Sequence, residues 1–205
     1  MLVGIAGKKG AGKDTLAHDL VEHRHWINNY LAAGKVFHFA DTLKKVTVEL
    51  LGIPAEMVYG TQEDKEQKCH LRWENMPTYE LMGDLRPTGR MSVREVLQYF
   101  GTEILRKMYG RVHINATFNA IAQYEESQEG QVLSVVAGLR FPNECDAIKE
   151  EGGIVIGLTR GEKGDNHASE NALDDYSFNV LIDNIGMTRE EQLEAALKSL
   201  RRSYR

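Results

Sequence analysis

The first fifteen residues constrain the fold more than any other stretch of the chain. The short apolar run Leu2–Ala6 predicts a buried parallel strand, and a helical pattern starts at Lys13. The segment between them is rich in glycine and reads Gly7-Lys8-Lys9-Gly10-Ala11-Gly12. A strand, a glycine turn and a helix in this order are the context that a phosphate-binding P-loop requires.

The residue types of this loop suit the binding of an anion. Glycines let the backbone curl so that successive N–H groups converge on phosphate oxygens, and the positive end of the following helix adds to the field. Lys13 supplies a mobile charge for the outer phosphates. The alternative is a chance glycine turn after a strand. The predicted phosphate-binding set is Gly7, Gly10, Ala11, Gly12, Lys13, Asp14 and Thr15.

The loop departs from the usual motif at the position that follows the lysine. Asp14 stands where a serine or threonine usually ligates Mg²⁺, and the hydroxyl comes one residue later, at Thr15. Asp14 could ligate the ion, hold a metal-bound water, or only favour the helix N-terminus by its charge. We therefore name Asp14 and Thr15 as the candidate metal ligands and leave these three roles open.

Composition and net charge limit the kinds of protein and partner that fit this chain. The chain has 205 residues, of which 42% are hydrophobic and 27% charged, values that are ordinary for one globular domain. A net charge of −5 argues against a nucleic-acid partner bound through bulk electrostatics. The two cysteines have no metal-ligand spacing and make no disulfide framework. With no signal peptide and no apolar run of membrane-spanning length, we expect no membrane partner and a cytoplasmic location, in the host if a phage encodes the chain.

Strands alternate with helices along the chain, which predicts a mainly parallel five-stranded sheet covered by helices on both faces. After the first strand, the four further predicted strands are Val36–Ala40, Val132–Ala137, Ile154–Leu158 and Phe178–Ile182. The first helix is expected to carry Leu16, Leu20, Ile27 and Leu31 on one face. The polar stretch 61–90 is expected to be a long loop. The fold class is therefore α/β, in one domain over 1–205, with a helical acceptor-binding insertion at 41–126.

Several candidate site residues follow predicted strands, at the edge where open α/β sheets bind ligands. Asp41 belongs to such a site or caps the next helix, and it could do both at the same time. Arg140 emerges near the expected position of the phosphates. Gly138 stands where a P-loop protein normally carries a Walker-B aspartate that positions Mg²⁺.

Two further segments carry candidate ligands. A helix that begins with a capping box at Ser92 bears Arg94 and Gln98 beside its apolar stripe, either as a solvated flank or for a phosphate and a base edge, and Arg106 towards the opposite face. The stripe is Val93, Val96, Leu97, Phe100, Ile104 and Met108. The polar segment 159–175 has the glycines and cations of a lid, although a disordered surface loop would also fit.

Five blocks of the chain, taken together, resemble the bacteriophage-type deoxynucleoside monophosphate kinases. They are 7–15, Phe39-Ala40-Asp41 with Leu43-Lys44, Arg94 to Glu103, Arg140–Glu144 and His167–Glu170. The resemblance implies a P-loop kinase fold and transfer of the γ-phosphoryl group of ATP to a deoxynucleoside monophosphate with Mg²⁺.

By position, the resemblance assigns roles to the candidate residues. Lys13 and Arg140 become the catalytic residues, with Arg140 neutralising the phosphoryl group in transit. The candidate residues for the monophosphate side are Asp41, Lys44, Arg94, Gln98, Arg106, His167 and Glu170. The family commonly has an aspartate at the position of Gly138. The chain could therefore be a nucleotide-binding module with little turnover. Because a P-loop does not encode the acceptor, a P-loop kinase for another small metabolite is also open, as is a homodimer.

Overall fold

The structure, a computed structural model, describes residues 1–77, 79–83, 86–161 and 171–203. The chain divides into two compact units. The first consists of Met1–Phe39 and Ile114–Arg205, and the second of Ala40–His113. Each unit has a hydrophobic core of its own.

The first unit is built on a five-stranded sheet. Its strands are β1 (Leu2–Gly7), β2 (Leu31–His38), β5 (Gln131–Leu139), β6 (Ile154–Leu158) and β7 (Val180–Ile182). Their order across the sheet is β2-β5-β1-β6-β7, and each neighbouring pair is parallel. The carboxyl ends of all five strands therefore lie along one edge, with β1 in the centre.

Helices cover both faces of this sheet. On one face, α1 (Lys13–Glu22) and α8 (Arg189–Ser203) pack against the strands. On the other face lie α6 (Val112–Glu126) and α7 (Pro142–Glu150). Central side chains such as Ile5, Leu133 and Ile156 are fully buried, and each contributes about 1.5–3 kcal/mol by leaving water. The predicted three-layer α/β fold with a parallel sheet is confirmed.

The second unit is mainly helical with a small antiparallel sheet. It contains α2 (Asp41–Leu51), α3 (Ala55–Tyr59), α4 (Gln62–Glu66), β3 (Lys68–Arg72), β4 (Arg90–Ser92), α5 (Val93–Gln98) and a π-helix over Tyr99–Arg106. Strands β3 and β4 pair antiparallel. Its core includes the fully buried side chains of Met91, Val58 and Val93. The segment 61–90, predicted as a long loop, thus contains a helix and a strand that packs on this core.

The first helix is shorter than the sequence pattern predicts. It ends at Glu22, and Leu31 begins β2 rather than lying on the helix face. Gly34 lies within β2, where an added Cβ would come within 3.2 Å of Val21 Cγ1 and 3.3 Å of Leu133 O. Glycine therefore serves here as the residue that lets α1 pack tightly on the strand.

The other predicted strands need smaller corrections. Residues Ile154–Leu158 form β6 as predicted. The fifth strand is only Val180–Ile182, whereas a start at Phe178 was expected. The second strand ends at His38, two residues before its expected end at Ala40.

Among the residues that the structure describes, no helix has the length and apolar character needed to cross a membrane.

Candidate active site

The glycine loop follows β1 directly, at the carboxyl edge of the sheet. Gly10 has φ of +76° and Gly12 has φ of +86°, a left-handed conformation that side-chain-bearing residues rarely adopt. Gly12 is the N-cap of α1, so the loop turns straight into the helix. A Cβ at Gly10 would meet no described heavy atom within 4 Å. The loop thus has the curled backbone and the open front that a phosphate group needs.

Lys13 lies against the loop that precedes it. Its Nζ donates a hydrogen bond of 2.7 Å to the backbone carbonyl of Lys8. The Ala11 amide donates to the same carbonyl over 3.1 Å. The ammonium group is therefore held beside the glycine turn, within reach of an anion bound there.

Asp14 and Thr15 are both exposed in the first turn of α1. Asp14 Oδ1 is 3.0 Å from His38 Nε2, at the end of β2. A carboxylate and a hydroxyl are hard oxygen donors, the ligand type that Mg²⁺ prefers. The donor set at the start of α1 therefore fits this ion. His38 was not among the predicted site residues, since a histidine in a strand gives no signal of its own.

Gly138, which stands where a Walker-B aspartate is usual, also has a distinct backbone conformation. It is the extra residue of a β-bulge, because Ile5 pairs with Ala137 and Ala6 pairs with Leu139. Its φ is +76°, and an added Cβ would have His38 Cδ2 at 4.0 Å as its nearest neighbour. The end of β5 therefore has a backbone that glycine adopts without strain, next to the His38–Asp14 pair.

Arg140 follows this bulge, and its backbone is fixed by Glu144. The Glu144 carboxylate, which is buried, accepts hydrogen bonds from the Arg140 N–H (2.8 Å) and the Phe141 N–H (3.2 Å). Pro142 occupies the first turn of α7, where proline is favoured. The Arg-Phe-Pro-Asn-Glu block thus sets the direction in which the chain leaves the sheet.

In the second unit, Asp41 and Lys44 lie on the first turns of α2 beside Tyr59. Asp41 is the first helical residue, and the N-cap position is Ala40. The alternative that Asp41 is the N-cap residue is therefore wrong. Lys44 Nζ is 5.7 Å from the centre of the Tyr59 ring. Burial, and then the negative charges of Asp41 and Glu49, raise the pKa of Tyr59.

Arg94, Gln98 and Arg106 belong to one continuous helical segment of this unit, but its geometry changes along its length. Arg94 pairs with Glu66 and donates to the Gln62 side chain. From Tyr99 the helix is a π-helix, which has more residues per turn than an α-helix. The prediction that Arg106 faces away from Arg94 rests on an α-helical wheel that the chain does not follow past Gln98.

The change of geometry also alters the apolar stripe. Val93 and Val96 are buried as predicted, whereas Met108, predicted on the same stripe, is exposed. Tyr99 and Gly101 are buried instead. The capping box of Ser92 and Glu95 is formed as predicted.

The predicted lid falls mostly outside the described residues. His167 and Glu170 both lie there, so their roles stay predictions. Arg160, one of the cations expected to reach over phosphates, packs behind the loop instead: its Nη1 donates to Met187 O over 3.3 Å. Asp174, after the gap, pairs with Lys8 of the loop at 2.7 Å.

A group of polar side chains lies against the loop and was not predicted. Asn184 and Gln192 are buried and hydrogen-bond to the backbone carbonyls of Ala11 and Gly12. A sequence signal for Gln192 existed. It precedes Ala196 and Leu200 by one and two helical turns, so an amide stands on the apolar face of α8.

A cavity of about 960 Å³ lies elsewhere in the first unit, between α1 and α8. Asp19, Trp26 and Arg189 are among its lining residues, and none of the residues 7–15 lines it. Asp19 is buried, and its two carboxylate oxygens accept hydrogen bonds from Arg189, Oδ2 from Nε over 2.9 Å and Oδ1 from Nη2 over 2.5 Å. This contact ties α1 to α8 and is separate from the loop.

The parallel sheet, the glycine loop after its central strand and the lysine at the start of α1 define the P-loop kinase fold. No family model matches the chain.

Two curated proteins are similar to it. One, from Acanthamoeba polyphaga mimivirus, is named "Putative deoxynucleotide monophosphate kinase"; it is 32% identical over 179 residues, covering 83% of this chain and 80% of the relative. The other, from Escherichia phage T5, is named "Deoxynucleoside-5'-monophosphate kinase" and is 24% identical over 187 residues, covering 73% and 72%. This chain belongs to the deoxynucleoside monophosphate kinase family.

Proposed function

We propose that the chain phosphorylates deoxynucleoside monophosphates to diphosphates, with ATP as the phosphoryl donor and Mg²⁺ as the metal. The observation that carries this proposal is the left-handed glycine loop with Lys13 at its end, in a chain whose relatives are named as such kinases. The proposed setting is the cytoplasm, with small nucleotides as partners.

On the donor side, the residues 7–15 hold the triphosphate of ATP. The backbone amides of Gly10 to Lys13 point at phosphate oxygens, and the Lys13 ammonium moves from the Lys8 carbonyl to the outer phosphates. Arg140 neutralises charge on the phosphoryl group as it is transferred. Positioning and electrostatic stabilisation of this kind account for most of the catalysis of phosphoryl transfer.

Asp14 and Thr15 would hold the Mg²⁺ ion, whose chemistry is to neutralise charge on the β- and γ-phosphates. Mg²⁺ keeps several waters and takes few protein ligands, so one carboxylate and one hydroxyl suffice together with the nucleotide. His38 fixes one oxygen of Asp14 and so limits how the carboxylate can turn.

On the acceptor side, we propose as substrate-binding residues Asp41, Lys44, Arg94, Gln98, Arg106, His167 and Glu170. Lysine and arginine supply charge for the monophosphate, and Gln98 can pair with a base edge. The attacking phosphate oxygen is already ionised at neutral pH. The reaction therefore needs no strong general base, and we assign none.

The test is a coupled assay of ADP release over a panel of deoxynucleoside and ribonucleoside monophosphates, extended to other small phosphorylated or hydroxylated metabolites. Lys13→Ala is expected to lower turnover by a factor on the order of a thousand, because it removes the charge that stabilises the outer phosphates. Lys198→Ala, which removes an exposed lysine on α8, is the matched control and should keep full turnover.

The panel also decides between this activity and the alternatives. Turnover with a deoxynucleoside monophosphate above the ATP-only background supports the proposal. ATP binding without turnover on any acceptor would mean a binding module, and turnover only on another metabolite would mean a different kinase. Unchanged ADP release by Lys13→Ala would contradict the proposed mechanism.

A further inference from the structure

Two buried amide side chains donate hydrogen bonds to backbone carbonyls of the glycine loop. Asn184, directly after the short strand β7, donates from Nδ2 to the backbone carbonyl of Ala11 over 2.9 Å. Gln192, in the first turn of α8, donates from Nε2 to the carbonyl of Gly12 over 3.4 Å. Asn184 is fully buried and Gln192 is 3% exposed. Two distant segments thus meet the two residues that precede Lys13.

The orientation of both amides follows from their partners. The backbone N–H of Arg160 can only donate, and it is 2.8 Å from Asn184 Oδ1. Asn184 must therefore turn its NH₂ group towards Ala11 O and towards Gln192 Oε1, which is 2.6 Å away. Gln192 in turn faces Gly12 O with its own NH₂ group. One backbone donor thus sets the direction of the whole chain of hydrogen bonds.

Fixing a carbonyl also fixes the N–H of the next residue. A trans peptide is planar, and its C=O and N–H bonds point in opposite directions. When Asn184 holds the Ala11 carbonyl on the inner side, the Gly12 N–H faces the other side of the loop. The Gly12 carbonyl accepts from the Leu16 N–H over 2.9 Å and from Gln192 over 3.4 Å. Gln192 adds to the helical hydrogen bond, and together they aim the Lys13 N–H in the same way.

We propose that Asn184 and Gln192 are positioning residues that aim the Gly12 and Lys13 amides at the phosphates of the nucleotide. This inference rests on the proposed function, in which the loop holds a triphosphate. The two side chains do not touch the ligand; they act through the backbone that does. Left-handed Gly12 makes such support necessary, because glycine would otherwise sample many backbone conformations.

A positioning role for these two buried amides and a purely structural role predict different measurements. Burying two amides is unfavourable unless their hydrogen bonds are made, and a structural role would show itself only in stability. A positioning role also predicts weaker binding of any polyphosphate, with or without a base attached.

The experiment measures dissociation constants by calorimetry for ATP and for inorganic tripolyphosphate in Mg²⁺ buffer. The variants are Asn184→Leu and Gln192→Met, which keep the side-chain volume and lose the donors. Each is expected to bind both ligands roughly threefold to tenfold more weakly, the value of one net hydrogen bond. The control is Ser134→Ala, which removes a hydrogen bond of 3.0 Å from the buried Ser134 hydroxyl to Glu125 in the same unit, and which should leave both affinities unchanged.

The outcomes separate this inference from the proposed function. If wild-type protein binds neither ligand, both fail together. If wild type binds both and the two variants bind equally well, the inference is overturned and the proposed function stands. Loss of ATP affinity with unchanged tripolyphosphate affinity also overturns it, because the amides would then serve the base. Should one variant fail to fold, the other decides, since each removes a different carbonyl contact.

Discussion

Gly138 is the single residue at which this chain departs most clearly from the pattern that its sequence otherwise follows. Its left-handed backbone disfavours a side chain, yet the space in front of it is open as far as His38, 4.0 Å away. An aspartate there would pay a backbone strain of about 1–2 kcal/mol and would bring a second carboxylate towards the His38–Asp14 pair.

We therefore expect Gly138→Asp to fold, with a free energy of unfolding lowered by about 1–2 kcal/mol, and to need a lower Mg²⁺ concentration for half-maximal turnover. The reason is that an additional oxygen donor lies beside Asp14. Urea unfolding and a Mg²⁺ titration of the kinase assay measure the two effects.

The matched control is Gly152→Asp. Gly152 has φ of +73° and no described heavy atom within 4 Å of an added Cβ, so the strain is the same. It should lose similar stability and keep the wild-type Mg²⁺ dependence. If both variants respond to Mg²⁺ alike, the carboxylate at 138 has no special place in the site.

For individual residues, the sequence predicted the features that depend on near neighbours along the chain. The glycine loop, Lys13 and the capping box of Ser92 depend on neighbours within a few residues, and the capping box is formed as predicted. His38 and Asn184 act through partners 24 and 173 residues away along the chain. Contacts over such separations arise only from the tertiary fold.

Among the elements, the π-helix over Tyr99–Arg106 lies close to α2 at Gly101. Gly101 lies within this π-helix, and an added Cβ would be only 2.7 Å from Leu43 Cδ2 of α2. Leu43 itself is buried. The absence of a side chain at 101 therefore lets α2, which carries Asp41 and Lys44, pack closely on this helix.

Gly101→Ala is expected to lower the free energy of unfolding by about 1–2 kcal/mol through this clash, although alanine favours helices over glycine by about 1 kcal/mol. Gly110→Ala adds the same methyl group where no described heavy atom lies within 4 Å and should be nearly neutral. Chemical unfolding of both variants gives the comparison.

A double-mutant cycle with Leu43→Ala tests the cause. Leu43→Ala should cost less in the Gly101→Ala background than in wild type, because the two changes together relieve the overlap. Additive effects would show that the methyl group at 101 disturbs something other than Leu43.

Periodicity predicted helices and strands well where one geometry persists. Strand β6 was predicted to the residue. Periodicity failed where the period changes, because a π-helix turns the later residues to other faces, and Met108 is exposed as a result. Periodicity also failed at Leu31, which begins β2 instead of lying on the face of the first helix.

For the molecule as a whole, the buried thiol of Cys145 links stability to pH. Burial, with a smaller effect of the Glu144 charge, raises the pKa of Cys145 to about 12, against 9.0 for an ordinary thiol; Asp146 also raises it, and Lys149 opposes this. The unfolded chain therefore loses this proton near pH 9, whereas the folded chain keeps it up to about pH 12.

Because the pKa is raised in the folded state, the contribution to stability is complete below pH 9 and is lost as the pH rises from 9 towards 12. We expect the free energy of unfolding to fall over this range by at most about 1.4 kcal/mol per pH unit from this group. Urea unfolding at pH 8, 9, 10 and 11 measures the slope.

Cys145→Ala is the control for this slope. It should be less stable than wild type at pH 8 because of the lost volume, with a shallower fall at higher pH. Tyr176, whose pKa is raised by burial and by its hydrogen bond to Asp146, adds to the slope above pH 10 in both proteins. Identical slopes between pH 9 and 10 would exclude Cys145 as the source.

The central position of β1 also affects how the chain folds as it is synthesised. Leu2–Gly7 is synthesised before its two neighbours in the sheet, Gln131–Leu139 and Ile154–Leu158. The apolar side chains of β1 therefore have no partner strand until the chain has been extended through β5. Pairing over such separations is slow, and an unpaired apolar strand is prone to aggregation, so nascent β1 is a natural client for chaperones that act at the ribosome.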